Sequence, residues 1–153
     1  MSTLDGAALT AEELRLWHAW KTAAEAVRTR IAADITAATG LSDPDFGVLT
    51  RLADTAGGRV RQNVLAESMG YHRSRLSHHL TRMEERGLVV REPASGGVEV
   101  VITDAGLAAV AQARPVHASA VRRYLTGPLR DMDLGQFTAV LEQLSSGHPR
   151  PGG

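Results

Sequence analysis

Residues 64–80 hold two short helical patterns joined at a glycine, and that junction limits the possible folds more than anything else in the chain. The run is Val64-Leu65-Ala66-Glu67-Ser68-Met69-Gly70-Tyr71-His72-Arg73-Ser74-Arg75-Leu76-Ser77-His78-His79-Leu80. The pattern predicts one helix from about Gln62 to Met69, stopped by Gly70, and a second from about Arg73 to Arg86, stopped by Gly87. Ala66 is small enough to let the two approach closely, and Leu65, Leu76, Leu80 and Met83 seal the angle between them. This is a helix-turn-helix pattern. The N-terminal half of its second helix is polar and basic, with Arg73, Ser74, Arg75, Ser77 and His78. That end meets base edges when such a helix enters the major groove.

The flanking residues predict more helix and one hairpin. Thr10-Ala11-Glu12-Glu13 fits a capping box. Leu14, Trp17, Ala24, Val27, Ile31 and Ile35 then recur at helical steps until Gly40. A helix of roughly 28 residues, about 42 Å long, results. A helix this long in so short a chain is expected to pack against something beyond its own monomer. Ser42-Asp43-Pro44-Asp45 starts another helix, with Phe46, Leu49 and Leu52 on its apolar face and Gly57-Gly58 at its end. Leu88-Val89-Val90 and Val98-Glu99-Val100-Val101-Ile102 read as two strands around the turn Ala94-Ser95-Gly96-Gly97. Thr103-Asp104 caps a helix running to about Tyr124, with Leu107, Val110 and Val121 apolar and a kink expected at Pro115. Asp133 caps the last helix, whose Leu134, Phe137, Leu141 and Leu144 form a seam-like stripe ending at Gly147. The expected fold class is mainly α with a small β-hairpin wing: a winged helix-turn-helix over residues 41–102, and dimerisation helices over 10–40 and 103–146. Residues 1–9 and 147–153 are expected to be disordered.

The formal net charge of the 153 residues is zero, but the charge is not spread evenly. Between Arg59 and Arg91, seven arginines face three acids (Glu67, Glu84, Glu85), a local charge of +4 that leaves −4 for the rest. A positive field confined to one fifth of the chain is the footprint of a nucleic-acid binder. The chain has no cysteine, which excludes disulfides, thiol redox sensing, iron–sulfur clusters and cysteine-ligated zinc. No apolar run approaches the ~18 residues of a membrane span. Met1–Leu9 lacks the basic and apolar stretches of a secretory signal. A soluble cytoplasmic protein without a cofactor is expected.

The candidate DNA-facing residues are Arg61, Gln62, Asn63, Arg73, Ser74, Arg75, Ser77, His78, Arg82 and Ser95. Arginine bonds bidentately to guanine, and serine serves several bases or a phosphate. Arg61, Gln62 and Asn63 open a helix whose exposed amides suit a phosphate. Trp17, His18, Trp20 and Phe46 are candidate ligand-lining residues, although core and dimer packing is the preferred reading of the tryptophans. His78 and His79 are adjacent on a helix and point about 100° apart, which does not suit one metal ion. His79 reads as a partly buried residue near the helix edge. Ser74, Ser77 and His78 lack the orienting acid and oxyanion site of a triad, so no catalysis is expected.

The stretch from Leu65 to Val89 resembles the MarR family, especially Arg73-Ser74 with Arg82-Met83-Glu84-Glu85-Arg86-Gly87-Leu88-Val89. Thr103-Asp104-Ala105-Gly106 after the hairpin resembles that family's helix start, and the order of elements matches over residues 10–146. The resemblance implies a homodimer joined by the first helix and the last two. It implies recognition helices in the major grooves of a pseudo-palindromic site and wings at the flanking minor grooves. It also implies a small aromatic ligand that lowers DNA affinity, and repression of a neighbouring gene. The alternative is a winged-helix architectural or protein-interaction module with no effector. The sequence departs from the family pattern in three places. The wing tip Pro93-Ala94-Ser95-Gly96-Gly97 lacks a cation, which leaves Ser95 and backbone amides to meet phosphate. His79 replaces an apolar residue, and His72 replaces an aspartate helix cap.

Overall fold

A computed structural model of the protein describes residues 8–147. The predicted disorder of residues 1–7 and 148–153 lies outside the described residues. Six α-helices and three short strands follow one another as α1 (Ala11–Thr39), α2 (Asp43–Ala53), β1 (Arg59–Arg61), α3 (Gln62–Met69), α4 (Arg73–Glu85), β2 (Val89–Ala94), β3 (Gly97–Ile102), α5 (Asp104–Val121) and α6 (Leu134–Ser146). No helix among the described residues is long and apolar enough to cross a membrane.

The helix ends follow from their local chemistry. Thr10 and Glu13 complete the capping box of α1, and Gly40 closes that helix in the left-handed conformation. Ser42 and Asp45 form a second capping box on α2. The α2 helix stops at Ala53, earlier than the glycine pair suggests, because Gly57-Gly58 belong to a separate 3₁₀ turn over Ala56–Gly58. Thr103 caps α5 through the Gly106 amide, and Asp133 caps α6 through the Gln136 amide. The α5 helix runs unbroken through Pro115 and leaves α geometry at Val121, where a π-helical turn over Arg122–Thr126 takes over.

The sheet has one strand more than the sequence pattern predicts. β1 pairs antiparallel with β3, Arg59 opposite Val101 and Arg61 opposite Glu99, so the order is β1-β3-β2. The hairpin partner β2 runs from Val89 opposite Ile102 to Ala94 opposite Gly97, which shrinks the turn to Ser95-Gly96. The core fills the space between this sheet and the helices. Val48, Leu49, Leu52, Leu65, Leu76, Leu80, Met83, Val89 and Val100 are fully buried, joined by Ile35 from α1 and Val110 and Ala113 from α5. Each buried leucine contributes roughly 1.5–3 kcal/mol relative to an exposed one. The α4 helix therefore sits on the core through Leu76, Leu80 and Met83 and turns its other faces outward.

Candidate nucleic-acid interface

Residues of α4 divide by direction. Leu76, His79, Leu80 and Met83 face the core. At 100° per residue, Ser74 and His78 lie on the opposite side, and both are exposed. Arg75 and Arg82 line one flank. Ser77 and Glu84 line the other, which faces the wing. There Arg91 of β2 binds the Glu84 carboxylate, donates to Thr81 Oγ1 at 2.8 Å and approaches Ser77 O and Oγ at 3.4 Å each. Ser77 is half-buried beneath that guanidinium, so this candidate DNA residue is engaged with the wing.

The seven arginines of residues 59–91 are not equivalent. Arg59 lies 3.0 Å from Glu99 and 3.6 Å from Glu92, Arg86 lies 2.7 Å from Asp45, and Arg91 pairs with Glu84. Those three are neutralised, two of them by acids from outside the segment. Arg61 donates to the Ser95 carbonyl at 2.7 Å, and Arg82 lies 3.3 Å from His79 Nδ1. Both partners are uncharged, so the two arginines keep their positive field. Arg73 and Arg75 have no hydrogen-bond or ion-pair partner among the described residues. The outward charge is thus Arg61, Arg73, Arg75 and Arg82, all on the side of the helix-turn-helix.

Helix starts sharpen the picture. The four scaffold helices α1, α2, α5 and α6 carry side-chain caps, whereas α3 and α4 begin at Arg61 and His72 without one. The first backbone donors of α4 are therefore open to an anion, while in α3 the Val64 amide donates to Asn63 Oδ1 at 2.9 Å. An open cleft of about 220 Å³ connects these elements, lined by Arg61, Gln62, Asn63, Arg73, Gly96, Gly97 and Val98. Arg61 carries the positive charge to the wing tip, where the wing's own residues supply none.

One buried cluster lies behind this surface. Asp45 is 1% exposed and accepts from the Ser42 amide at 2.9 Å and from Arg86 Nη1 at 2.7 Å. Its Oδ1 faces His79 Nε2 at 3.0 Å, outside hydrogen-bond geometry. Arg82 only donates, so His79 Nδ1 is its acceptor and the ring proton sits on Nε2, toward Asp45. Burial raises the Asp45 carboxyl, but hydrogen bonds from Arg86 and from the Ser42 backbone outweigh it and hold the group below its ordinary value. Burial pushes the His79 imidazolium down; Asp45 opposes this and Arg82 reinforces it, leaving His79 below its ordinary value and neutral near pH 7. His78 and His79 are thus separated, one exposed and one in this cluster.

The candidate ligand residues do not converge within one chain. Trp17 and Trp20 are 50% and 44% exposed near the start of α1. His18 lies in an open groove along α1 with Lys21, Thr22 and Glu25. Trp17 is about 21 Å along the helix axis from Ile31, which packs on the core. Phe46 is in that core, its ring 5.0 Å from His117.

AbsC, a MarR family transcriptional regulator from Streptomyces coelicolor, has a crystal structure that superposes with a TM-score of 0.85 at 30% identity, covering 92% of this chain and 96% of AbsC. The chain belongs to the MarR family. It is a MarR-family transcriptional regulator, and the MarR family model matches residues 39–97, the span holding the helix-turn-helix and most of the hairpin. Sco3205, a second MarR regulator from Streptomyces coelicolor, was crystallised in complex with DNA. It is 28% identical with a TM-score of 0.80, covering 96% of this chain and 95% of its own. CouR from Rhodococcus jostii RHA1, bound to p-coumaroyl-CoA, shares the fold with a TM-score of 0.70 at 24% identity, over 85% of this chain and 91% of CouR. A search of the curated proteins returned no match.

The MarR motif block also has a structural reason. Thr103 Oγ1 donates to the carbonyls of Gly87 and Leu88, at 2.6 and 3.0 Å, so the Arg-Gly-Leu-Val and Thr-Asp-Ala-Gly segments touch. Sequence reasoning did not pick out Asp45 or Arg91 as the residues that tie α2 and the wing to α4. Asp45 was legible as a helix start, but not as the partner of α4.

Proposed function

We propose that this chain is a cytoplasmic transcriptional repressor that binds double-stranded DNA as a homodimer on a pseudo-palindromic operator. The observation that carries the reading is the pair Arg73 and Arg75, charged, exposed and without a hydrogen-bond or ion-pair partner among the described residues, at the uncapped start of α4. In this reading residues 41–102 form the DNA-binding unit. Ser74, Arg75 and His78 meet base edges in the major groove, while Arg61, Gln62, Asn63, Arg73 and Ser95 hold phosphates beside them. Arg82, farther along α4, adds phosphate contact. The DNA complex of Sco3205 supports it.

Residues 10–40 and 103–146 form the dimerisation unit. None of the α6 residues is buried within the chain, and Leu134, Val140 and Leu144 are exposed, as are Leu14, Trp17 and Trp20 of α1. A small aromatic effector would bind between these helices and the DNA-binding unit, toward Phe46, with Trp17, His18 and Trp20 available as stacking surfaces. Binding there lowers DNA affinity and releases the operator. CouR with p-coumaroyl-CoA is a precedent on the same fold.

The test is enrichment of duplex DNA from a random pool, followed by affinity measurement. A specific site should bind with a strong salt dependence, about 0.9 in log–log slope per phosphate neutralised. Arg75→Ala should cost about 1–3 kcal/mol and relax preference at one base pair. If no duplex binds more tightly than random sequence, the reading is wrong.

A further inference from the structure

We propose that Tyr71 is a positioning residue for Arg75, holding its guanidinium by stacking so that the donor edge is presented ready-formed to a base; this rests on the DNA-binding reading above. The guanidinium carbon of Arg75 lies 4.0 Å from the Tyr71 ring centroid. The other cation–ring pairs among the described residues are 5.3 Å apart or more, so this one alone is at stacking distance. A planar guanidinium stacks through its face. Its N–H groups lie in the plane and remain open, and in Arg75 they have no hydrogen-bond partner among the described residues. A stacked arginine therefore keeps the two-pronged edge that pairs with guanine.

Tyr71 is itself fixed. Its amide donates to the Ala66 carbonyl at 2.9 Å and the Gly70 amide to Glu67 at 3.1 Å, the two bonds of a Schellman closure. Gly70 has φ +64°, the left-handed turn that closure needs. The ring is half-buried and packs on the core edge, leaving one face for Arg75. The Tyr71 hydroxyl has no partner among the described residues, so only the ring acts. Arg82 and Arg61 are held by hydrogen bonds instead, which use part of their donor sets. Of the arginines facing outward, Arg75 is thus the one restrained without loss of a donor. Such restraint lowers the ordering cost of binding.

The experiment compares the full-length wild type with Tyr71→Phe, Tyr71→Leu, Arg75→Ala and the Tyr71→Leu/Arg75→Ala double variant. The probes are the duplex that wild type enriches from a random pool and an equally long random duplex. Tyr71→Phe keeps the ring and should stay within about twofold of wild type. Tyr71→Leu keeps apolar packing without a stacking face. It should lose roughly three- to tenfold on the enriched duplex, confined to the base pair Arg75 reads, with little change on random DNA. The double variant should bind no worse than Arg75→Ala. Circular dichroism melts keep every measurement below the midpoint of the variant concerned. Additive losses, or equal losses for Phe and Leu, would overturn the positioning role. If Arg75→Ala binds the enriched duplex like wild type, the positioning role falls and the DNA-binding reading stands. If wild type enriches nothing, both fall.

Discussion

Replacing Asp45 with alanine removes the acceptor that joins the start of α2 to Arg86 at the end of α4, and the Arg86 guanidinium then faces no carboxylate. We expect a loss of about 1–3 kcal/mol in urea unfolding, from the lost cap at the Ser42 amide and the lost charge-assisted bond to Arg86, whose side chain is 43% exposed and regains water. The same cluster sets a pH dependence. His79 is held below its ordinary value in the fold, so the unfolded chain takes up a proton first as the pH falls through about 6.5. The stabilisation is complete above that pH and is lost as the pH drops toward the folded value. Asp45 is also depressed, and its contribution is lost only below about pH 4. His79→Gln should therefore flatten the thermal midpoint between pH 7 and 5 while leaving the collapse in stronger acid. A midpoint profile that matches wild type in that range would refute the assignment. The sequence revealed Asp45 only as part of the helix start Ser42-Asp43-Pro44-Asp45, where it completes the Ser42 capping box. Its partner Arg86 lies 41 residues on, and no local pattern carries that pairing. The neutralisation of Arg59 by Glu99 was hidden in the same way.

Among elements, the hairpin base and α5 approach each other closely at Gly106. A Cβ on Gly106 would stand 2.3 Å from the Leu88 carbonyl oxygen and 2.8 Å from Ile102 Cγ1. The first of these is backbone, which cannot swing aside. Gly106→Ala should push α5 off the sheet and lower the thermal midpoint by more than 5 °C, on the order of 2 kcal/mol or more for a domain of this size. Retention of the wild-type midpoint would mean that the contact relaxes freely. Element types were largely legible, because Thr10, Thr103 and Asp133 announce helix starts and Gly40, Gly70 and Gly147 announce helix ends. β1 was not legible. Arg59-Val60-Arg61 has a single apolar residue, too short for period-two alternation, and it becomes a strand through pairing with β3. The π-helical turn after Val121 likewise has no glycine or proline at its start to mark it.

At the scale of the molecule, α6 is the unfinished part. Its Leu144 is 65% exposed, Val140 50%, and none of its 13 residues is buried in the chain. We expect light scattering to give a dimer and Leu144→Glu with Val140→Glu to give a monomer that binds the enriched duplex with a reduced salt slope. A double variant that stays dimeric would place the interface elsewhere. The proposed DNA-reading strip was visible in the sequence as a local excess of arginine. The proposed dimer surface was visible only as a helix too long for its chain and an apolar stripe, because contacts within one chain do not specify what covers it. If α6 gains its support from a second copy, as proposed, folding and assembly become one equilibrium. Dilution would then act on this protein as a mild denaturant, and its melting temperature should climb with concentration in the absence of any ligand.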